Sequence, residues 1–129
     1  MILVDSSVWI DYFNGVASRQ TDLLDDMLGR ELLLTGDIIL AEVLRGFDSQ
    51  SDYRRAKRLL GSLAYADMLG RDVAERSATY YRDLRRRGIA VRKTIDALIA
   101  TFCIMNRHSL LHADRGFDPF ARHFGLVMV

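Results

Sequence analysis

Short unbroken apolar runs alternate along the chain with longer stretches in which apolar residues recur every three or four positions. Ile2-Leu3-Val4 is an aliphatic run of the kind that forms a strand buried on both faces. Val8, Trp9, Tyr12 and Phe13 follow with helical spacing, and Asn14-Gly15 stops that helix. Thr21 or Asp22 is expected to cap a second helix with Leu23, Leu24, Met27 and Leu28 inward and Gly29 at its end. Residues 31–36 read as a second strand, and Asp37 as the cap of a third helix over 38–46. A fourth helix is predicted from about Asp52 to Leu63, then a short strand within 64–69. Arg71-Asp72 opens a long helix ending at Gly88, its buried stripe being Val73, Ser77, Tyr80, Tyr81 and Leu84. After a loop over 89–93, Thr94 caps a helix over 95–105 that is apolar nearly all the way round and therefore central. Residues from Ser109 form another short strand ending at an acid, a short helix falls within 115–124, and 126–129 reads as a last strand. Strands alternating with helices predict an α/β fold in which crossover helices link parallel strands.

The bulk properties narrow the possibilities. A chain of 129 residues, half of them hydrophobic, is one domain (1–129) with enough apolar material for a core. A net charge of +1 gives no global field that selects a partner. The single Cys103 excludes an internal disulfide, and its neighbours Phe102, Ile104 and Met105 predict a buried thiol in a reducing compartment. No apolar run approaches the ~18 residues of a membrane span. Met1-Ile2-Leu3 leads into a core strand and then Asp5, without the basic start or apolar run of a signal peptide. The expectation is a cytoplasmic protein without membrane partners.

The acids change the picture most. Asp5 ends the first strand, and ligands of open α/β sheets bind at the carboxyl ends of strands; a helix cap would also account for it. Glu42 interrupts the apolar third helix, where a lone carboxylate must be paired, protonated or bound to a cation. Arg45 could pair with it at i+3. Asp96 is the only charge on the central helix, in its first turn, where it also suits the helix dipole. Asp114 follows the last internal strand, with Asp118 a turn later. Strand ends and the starts of following helices share one rim, so these acids could converge. Two unit charges ~4 Å apart at an effective dielectric of ~20 repel by ~4 kcal/mol, so such a cluster keeps protons or takes a cation. Oxygen ligands favour Mg²⁺ or Mn²⁺ over Zn²⁺, and clusters of this kind run metal-assisted attack on phosphodiesters. His108, His112 and His123 lack zinc-like spacing. The densest basic patch is Arg82, Arg85, Arg86 and Arg87, with Arg92 and Lys93 close behind; it complements the helix dipole and could equally contact phosphates.

Taken in order, Asp5-Ser6-Ser7-Val8-Trp9-Ile10, Glu42-Val43-Leu44-Arg45-Gly46, Asp96-Ala97-Leu98-Ile99-Ala100 and His112-Ala113-Asp114-Arg115-Gly116-Phe117 resemble the PIN-domain ribonucleases, and more specifically the VapC toxins of bacterial toxin–antitoxin pairs. The resemblance covers essentially the whole chain. It implies a three-layer α/β/α sandwich with a mostly parallel central sheet, and Mg²⁺- or Mn²⁺-dependent cleavage of RNA. It carries the catalytic and metal-binding roles onto Asp5, Glu42, Asp96 and Asp114, with Asp118 a second candidate for the outer metal position. It also implies a homodimer or a higher toxin–antitoxin assembly, and a VapB-type antitoxin that covers the site and alone provides contact with DNA. Ser6 is expected to hydrogen-bond near the metal, and Arg85, Arg86, Arg87, Arg92 and Lys93 to guide the RNA backbone. One departure is His112, where this family often has Thr.

Two other readings follow from the residues. Asp5 at a strand end before two serines suits a phosphoryl-transfer domain with an aspartyl nucleophile, although Ser7 stands where one such class needs a second acid. The acids could also form a non-catalytic module that binds a basic partner segment.

Overall fold

In the computed structural model, which describes residues 1–129, the opening run forms strand β1 (Ile2–Val4) at the middle of a sheet. The other strands are β2 (Leu33–Gly36), β3 (Ala64–Ala66) and β4 (Ser109–Leu111), ordered β3-β2-β1-β4 with every pairing parallel. Each strand is only three or four residues long; β2 is buried throughout and β1 and β4 nearly so, while the edge strand β3 is partly exposed. Leu3, Val4, Leu34, Leu110 and Leu111 are all at most 1 % exposed.

Seven helices fill the connections: α1 (Ser6–Phe13), α2 (Arg19–Met27), α3 (Asp37–Leu44), α4 (Gln50–Gly61), α5 (Arg71–Arg86), α6 (Thr94–Asn106) and α7 (Asp118–Phe124). Parallel crossovers are right-handed, so α1 to α4, which carry the chain from β1 through β2 to β3, cover one face. The return from β3 to β4 puts α5 and α6 on the other, giving the expected three layers. Trp9 stacks on Phe13 beneath one face (centroids 5.8 Å apart), and Phe117 and Phe120 are fully buried beneath the other. No helix is long and apolar enough to cross a membrane. Cys103 is buried, and burial pushes its thiol up to about 12.

Several boundaries differ from expectation, each for a local reason. Helix α2 is capped by Ser18, which forms a reciprocal capping box with Thr21, so the cap lies earlier than Thr21 or Asp22. Ser49 caps α4 by accepting from Asp52 N at 3.3 Å, starting the helix two residues before Asp52. Asp37 and Thr94 lie inside their helices and are not caps. Instead Asp37 Oδ1 accepts from Ile38 N at 2.9 Å and Met68 N at 2.8 Å, tying the segment after β3 to the head of α3. The strand predicted over 126–129 is a single bridge between Leu110 and Met128, held by two backbone hydrogen bonds. It contacts only the edge strand β4, with no second neighbour to lengthen the ladder.

Candidate active site

The chain leaves β1 toward β2 on one side and enters β4 from β3 on the other. Such a reversal opens a crevice at the carboxyl ends of β1 and β4. Asp5 follows β1 into that crevice, and Asp114 lies three residues past β4. The two strand ends are stitched together. Asp5 N donates to Leu111 O at 2.9 Å. Ser7 Oγ donates to Asp5 Oδ2 at 2.5 Å and accepts from Ala113 N at 3.1 Å.

Asp5 is indeed the cap of α1, accepting from Ser7 N at 3.0 Å. Capping uses only Oδ2. Oδ1 is buried with no hydrogen-bond partner, a costly state for a carboxylate oxygen. Burial raises the Asp5 pKa, against the hydrogen bonds from Ser7 that pull it down.

Asp96 lies in the first turn of α6 and is 8 % exposed. Burial, then the charges of Asp114 and Asp5, push its pKa up to about 6, with Lys93 opposing and Glu42 adding to the rise. Asp114 moves the other way. A hydrogen bond from Lys93 Nζ (2.7 Å to Oδ2) and one from Gly116 N (2.9 Å to Oδ1) hold its carboxyl below the usual range. Gly116 brings these two acids together. A Cβ at Gly116 would lie 3.0 Å from Asp96 Oδ2 and 3.3 Å from Asp114 Oδ1, so the missing side chain leaves a cradle between two carboxylates. Glu42 joins from α3 on the opposite layer, half-buried, its Oε1 accepting from Ser6 Oγ at 2.9 Å. Arg45 is exposed and does not pair with it.

The cradle opens into a cavity of about 520 Å³ whose wall includes Arg92, Lys93, Asp96, Asp114, Arg115 and Pro119. No three of the chain's His, Cys, Asp and Glu side chains converge closely enough to grip an ion as they stand. Three features nevertheless suit a hard divalent cation: the orphaned Asp5 Oδ1, the open cradle at Gly116, and a donor set made only of oxygens.

Asp118 does not join the group. It is exposed in the first turn of α7 and does not line the cavity, because the 3-10 turn Arg115–Phe117 carries the chain away from the cradle. Arg85, Arg86 and Arg87 also stay outside the cavity. They end α5, where Arg85 lies over the Tyr81 ring and Arg87 pairs with Asp83 and reaches His123. Only Arg92 and Lys93 of the five predicted RNA contacts face the cavity. Sequence reasoning missed Ser7 as the stitch between strand ends, Gly116 as the cradle and Arg115 as a cavity cation. Nothing in the spacing of the Asp-Arg-Gly run at 114–116 separates a lining Arg from a solvated one. His112 is not idle either: its Nδ1 accepts from Asp114 N at 3.1 Å, which leaves the proton on Nε2, beside Met128 Sδ.

Comparison with known proteins gives a consistent picture. The family model described as PIN domain matches residues 2–122. The chain is 30% identical over 124 residues to a VapC ribonuclease of Mycobacterium bovis and to ribonuclease VapC11 of Mycobacterium tuberculosis, covering 95% of this chain and 92% of each relative. Among solved structures it is similar to VapBC2 from Rickettsia felis bound to a DNA fragment from their promoter, with a TM-score of 0.76 at 17% identity over 100% of this chain and 98% of that one. It is also similar to a toxin–antitoxin complex from Klebsiella pneumoniae, with a TM-score of 0.71 at 22% identity over 98% and 96% of the two chains.

Proposed function

The chain belongs to the PIN-domain family, and on that premise we propose that it is a VapC-type ribonuclease: a Mg²⁺- or Mn²⁺-dependent endoribonuclease that acts as the toxin of a toxin–antitoxin pair. The observation that carries the reading is the carboxylate group at the β1–β4 crevice, in which Asp5 keeps a buried oxygen without a partner and Asp96 and Asp114 flank an open cradle.

Asp5, Asp96 and Asp114 are the residues that would hold the ion, with Glu42 beside them. Bound there, the cation supplies a water acidified toward neutrality and positive charge against the phosphate. The chain's own groups do the remaining work. Ser6 fixes Glu42 through Oε1, leaving Oε2 uncommitted to take a proton from an attacking water. Arg92, Lys93 and Arg115 offer cations to the phosphates on either side of the scissile bond. Ser7 holds the segment that bears Asp114 against the end of β1, and His112 braces that segment from within through Asp114 N. An aspartyl nucleophile of the class that needs a second acid two residues on would find Ser7 there instead.

The partner of this reading is a VapB-type antitoxin that covers the acidic crevice, with contact to DNA through the antitoxin. The toxin itself is expected to form a homodimer or a larger assembly with its antitoxin, in the cytoplasm. The solved neighbours, both toxin–antitoxin complexes by their descriptions, support the antitoxin in particular.

The test is cleavage of total cellular RNA by folded, antitoxin-free protein with Mg²⁺, with Mn²⁺ and with EDTA, beside Asp5→Asn. Discrete fragments that require both the metal and Asp5 are the expected result. Intact RNA under every metal, or fragments that persist with Asp5→Asn, would refute the nuclease reading.

A further inference from the structure

Asp114 spends both of its oxygens inside the chain. Oδ1 accepts from Gly116 N at 2.9 Å and faces the cradle it shares with Asp96. Oδ2 takes the Lys93 ammonium at 2.7 Å. Lys93 is the cap residue of α6, one turn before Asp96, and its side chain makes no capping hydrogen bond. A donor-only ammonium cannot cap the helix's free N–H groups, and this one is committed to the acid cluster, where Asp96 and Asp5 also feel its charge. The lysine side chain is 63 % exposed while the Asp114 side chain is 29 % exposed, so one end of the pair is anchored and the other is free to leave. In this arrangement no three acids reach ligand distance.

On the reading that this crevice is a metal-dependent nuclease site, we propose that Lys93 is a tethered counter-ion: it neutralises Asp114 from Oδ2 until a divalent cation takes over that carboxylate, and the released ammonium then binds a phosphate of the RNA. Charge balance favours the exchange. A monovalent ammonium meets only part of the repulsion among Asp5, Asp96 and Asp114, whereas a divalent ion meets more of it. The cavity gives the displaced side chain somewhere to go, because Arg92 and Arg115 line the same wall and a polyanion there draws cations. The pairing also offsets part of the repulsion on Asp96 while the metal is absent.

The sign of one measurement separates this role from a structural one. If Lys93 only props Asp114, its removal loosens a ligand and weakens the metal. If it competes with the metal, its removal tightens the metal. The experiment is calorimetric titration of the full chain with Mn²⁺, wild type beside Lys93→Met and Lys93→Arg, with thermal melts in EDTA to show that each variant is folded. Steady-state cleavage of a single-stranded RNA oligonucleotide at saturating Mn²⁺ follows. The expected results for Lys93→Met are a Mn²⁺ dissociation constant lower by about tenfold and a KM for RNA higher by about tenfold, with kcat changed less than threefold. Lys93→Arg should keep KM near wild type. Unchanged or weaker Mn²⁺ binding by Lys93→Met, in a wild type that does bind Mn²⁺, overturns the counter-ion role alone. Tighter Mn²⁺ binding with an unchanged KM overturns the phosphate contact. A wild-type chain that binds no Mn²⁺ overturns the proposal together with the metal-site reading beneath it.

Discussion

Replacing Asp96 with Asn should make the metal-free protein more stable and inactive at once. In the folded chain the Asp96 pKa stands at about 6, against 3.8 for an ordinary aspartate, because the side chain is buried and faces Asp114 and Asp5. A pKa raised by folding means that the folded state keeps its proton where the unfolded state has lost it. Stability from this group is therefore complete below pH 3.8, declines between 3.8 and about 6, and is gone above. The shift of roughly 2 units corresponds to about 3 kcal/mol of strain held by the ionised carboxylate above pH 6. Asn keeps the shape and cannot ionise. Relaxation of the cluster takes part of the gain, so Asp96→Asn should be about 2 kcal/mol more stable than wild type at pH 7.5 in EDTA. For a domain of this size that is a melting point higher by roughly 6–10 °C. The gap should shrink to about a third at pH 4.5, and excess Mg²⁺ at pH 7.5 should narrow it from the other side by stabilising wild type alone. Thermal melts by circular dichroism across pH, with and without Mg²⁺, measure all of this. A variant no more stable than wild type at pH 7.5 in EDTA, or a gap that does not change with pH, would refute the account of a strained acid cluster.

Two further substitutions probe the site without touching its acids. Ser6→Ala removes the 2.9 Å hydrogen bond to Glu42 Oε1; a charge-assisted bond worth about 1.5 kcal/mol predicts a roughly tenfold lower kcat, with the melting point within a few degrees, and an unchanged kcat would show that Glu42 is held by something else. Gly116→Ala puts a methyl between Asp96 Oδ2 and Asp114 Oδ1 at a position whose backbone is not left-handed; the chain should fold normally but bind Mn²⁺ at least about tenfold more weakly by calorimetry, and wild-type affinity would place the ion outside the cradle.

The fold was legible wherever one chain segment decides its own fate. Ile2–Val4 must be buried on both faces, α6 is apolar on nearly every side, and such runs leave few places in a small sheet to go. Caps were less legible because several residue types compete within a turn: Ser18 won over nearby Thr21 and Asp22, and Ser49 starts α4 ahead of the expected Asp52. The last strand was over-read for a related reason. An apolar tetrapeptide looks like a strand on its own, but extent is set by its partner, and β4 offers Met128 a single bridge.

At the site, residue type was readable and pairing was not. An acid on an apolar helix announces that something must satisfy it, but not what. Arg45 was the nearest candidate for Glu42 by helical spacing, and the bond goes instead to Ser6, thirty-six positions away and on the helix of a neighbouring strand. The same holds for Lys93, a member of a basic cluster by sequence, whose charge points at Asp114 and away from Arg85, Arg86 and Arg87. The four motifs mark where charge is buried, and crossover handedness brings their segments to one rim. Which oxygen is then capped, which is bridged by an ammonium and which is left without a partner depends on angstrom-scale offsets between elements. Those offsets come from packing, and the Asp5 Oδ1 orphan is their clearest product: one oxygen of the same carboxylate is a helix cap and the other is buried without a partner.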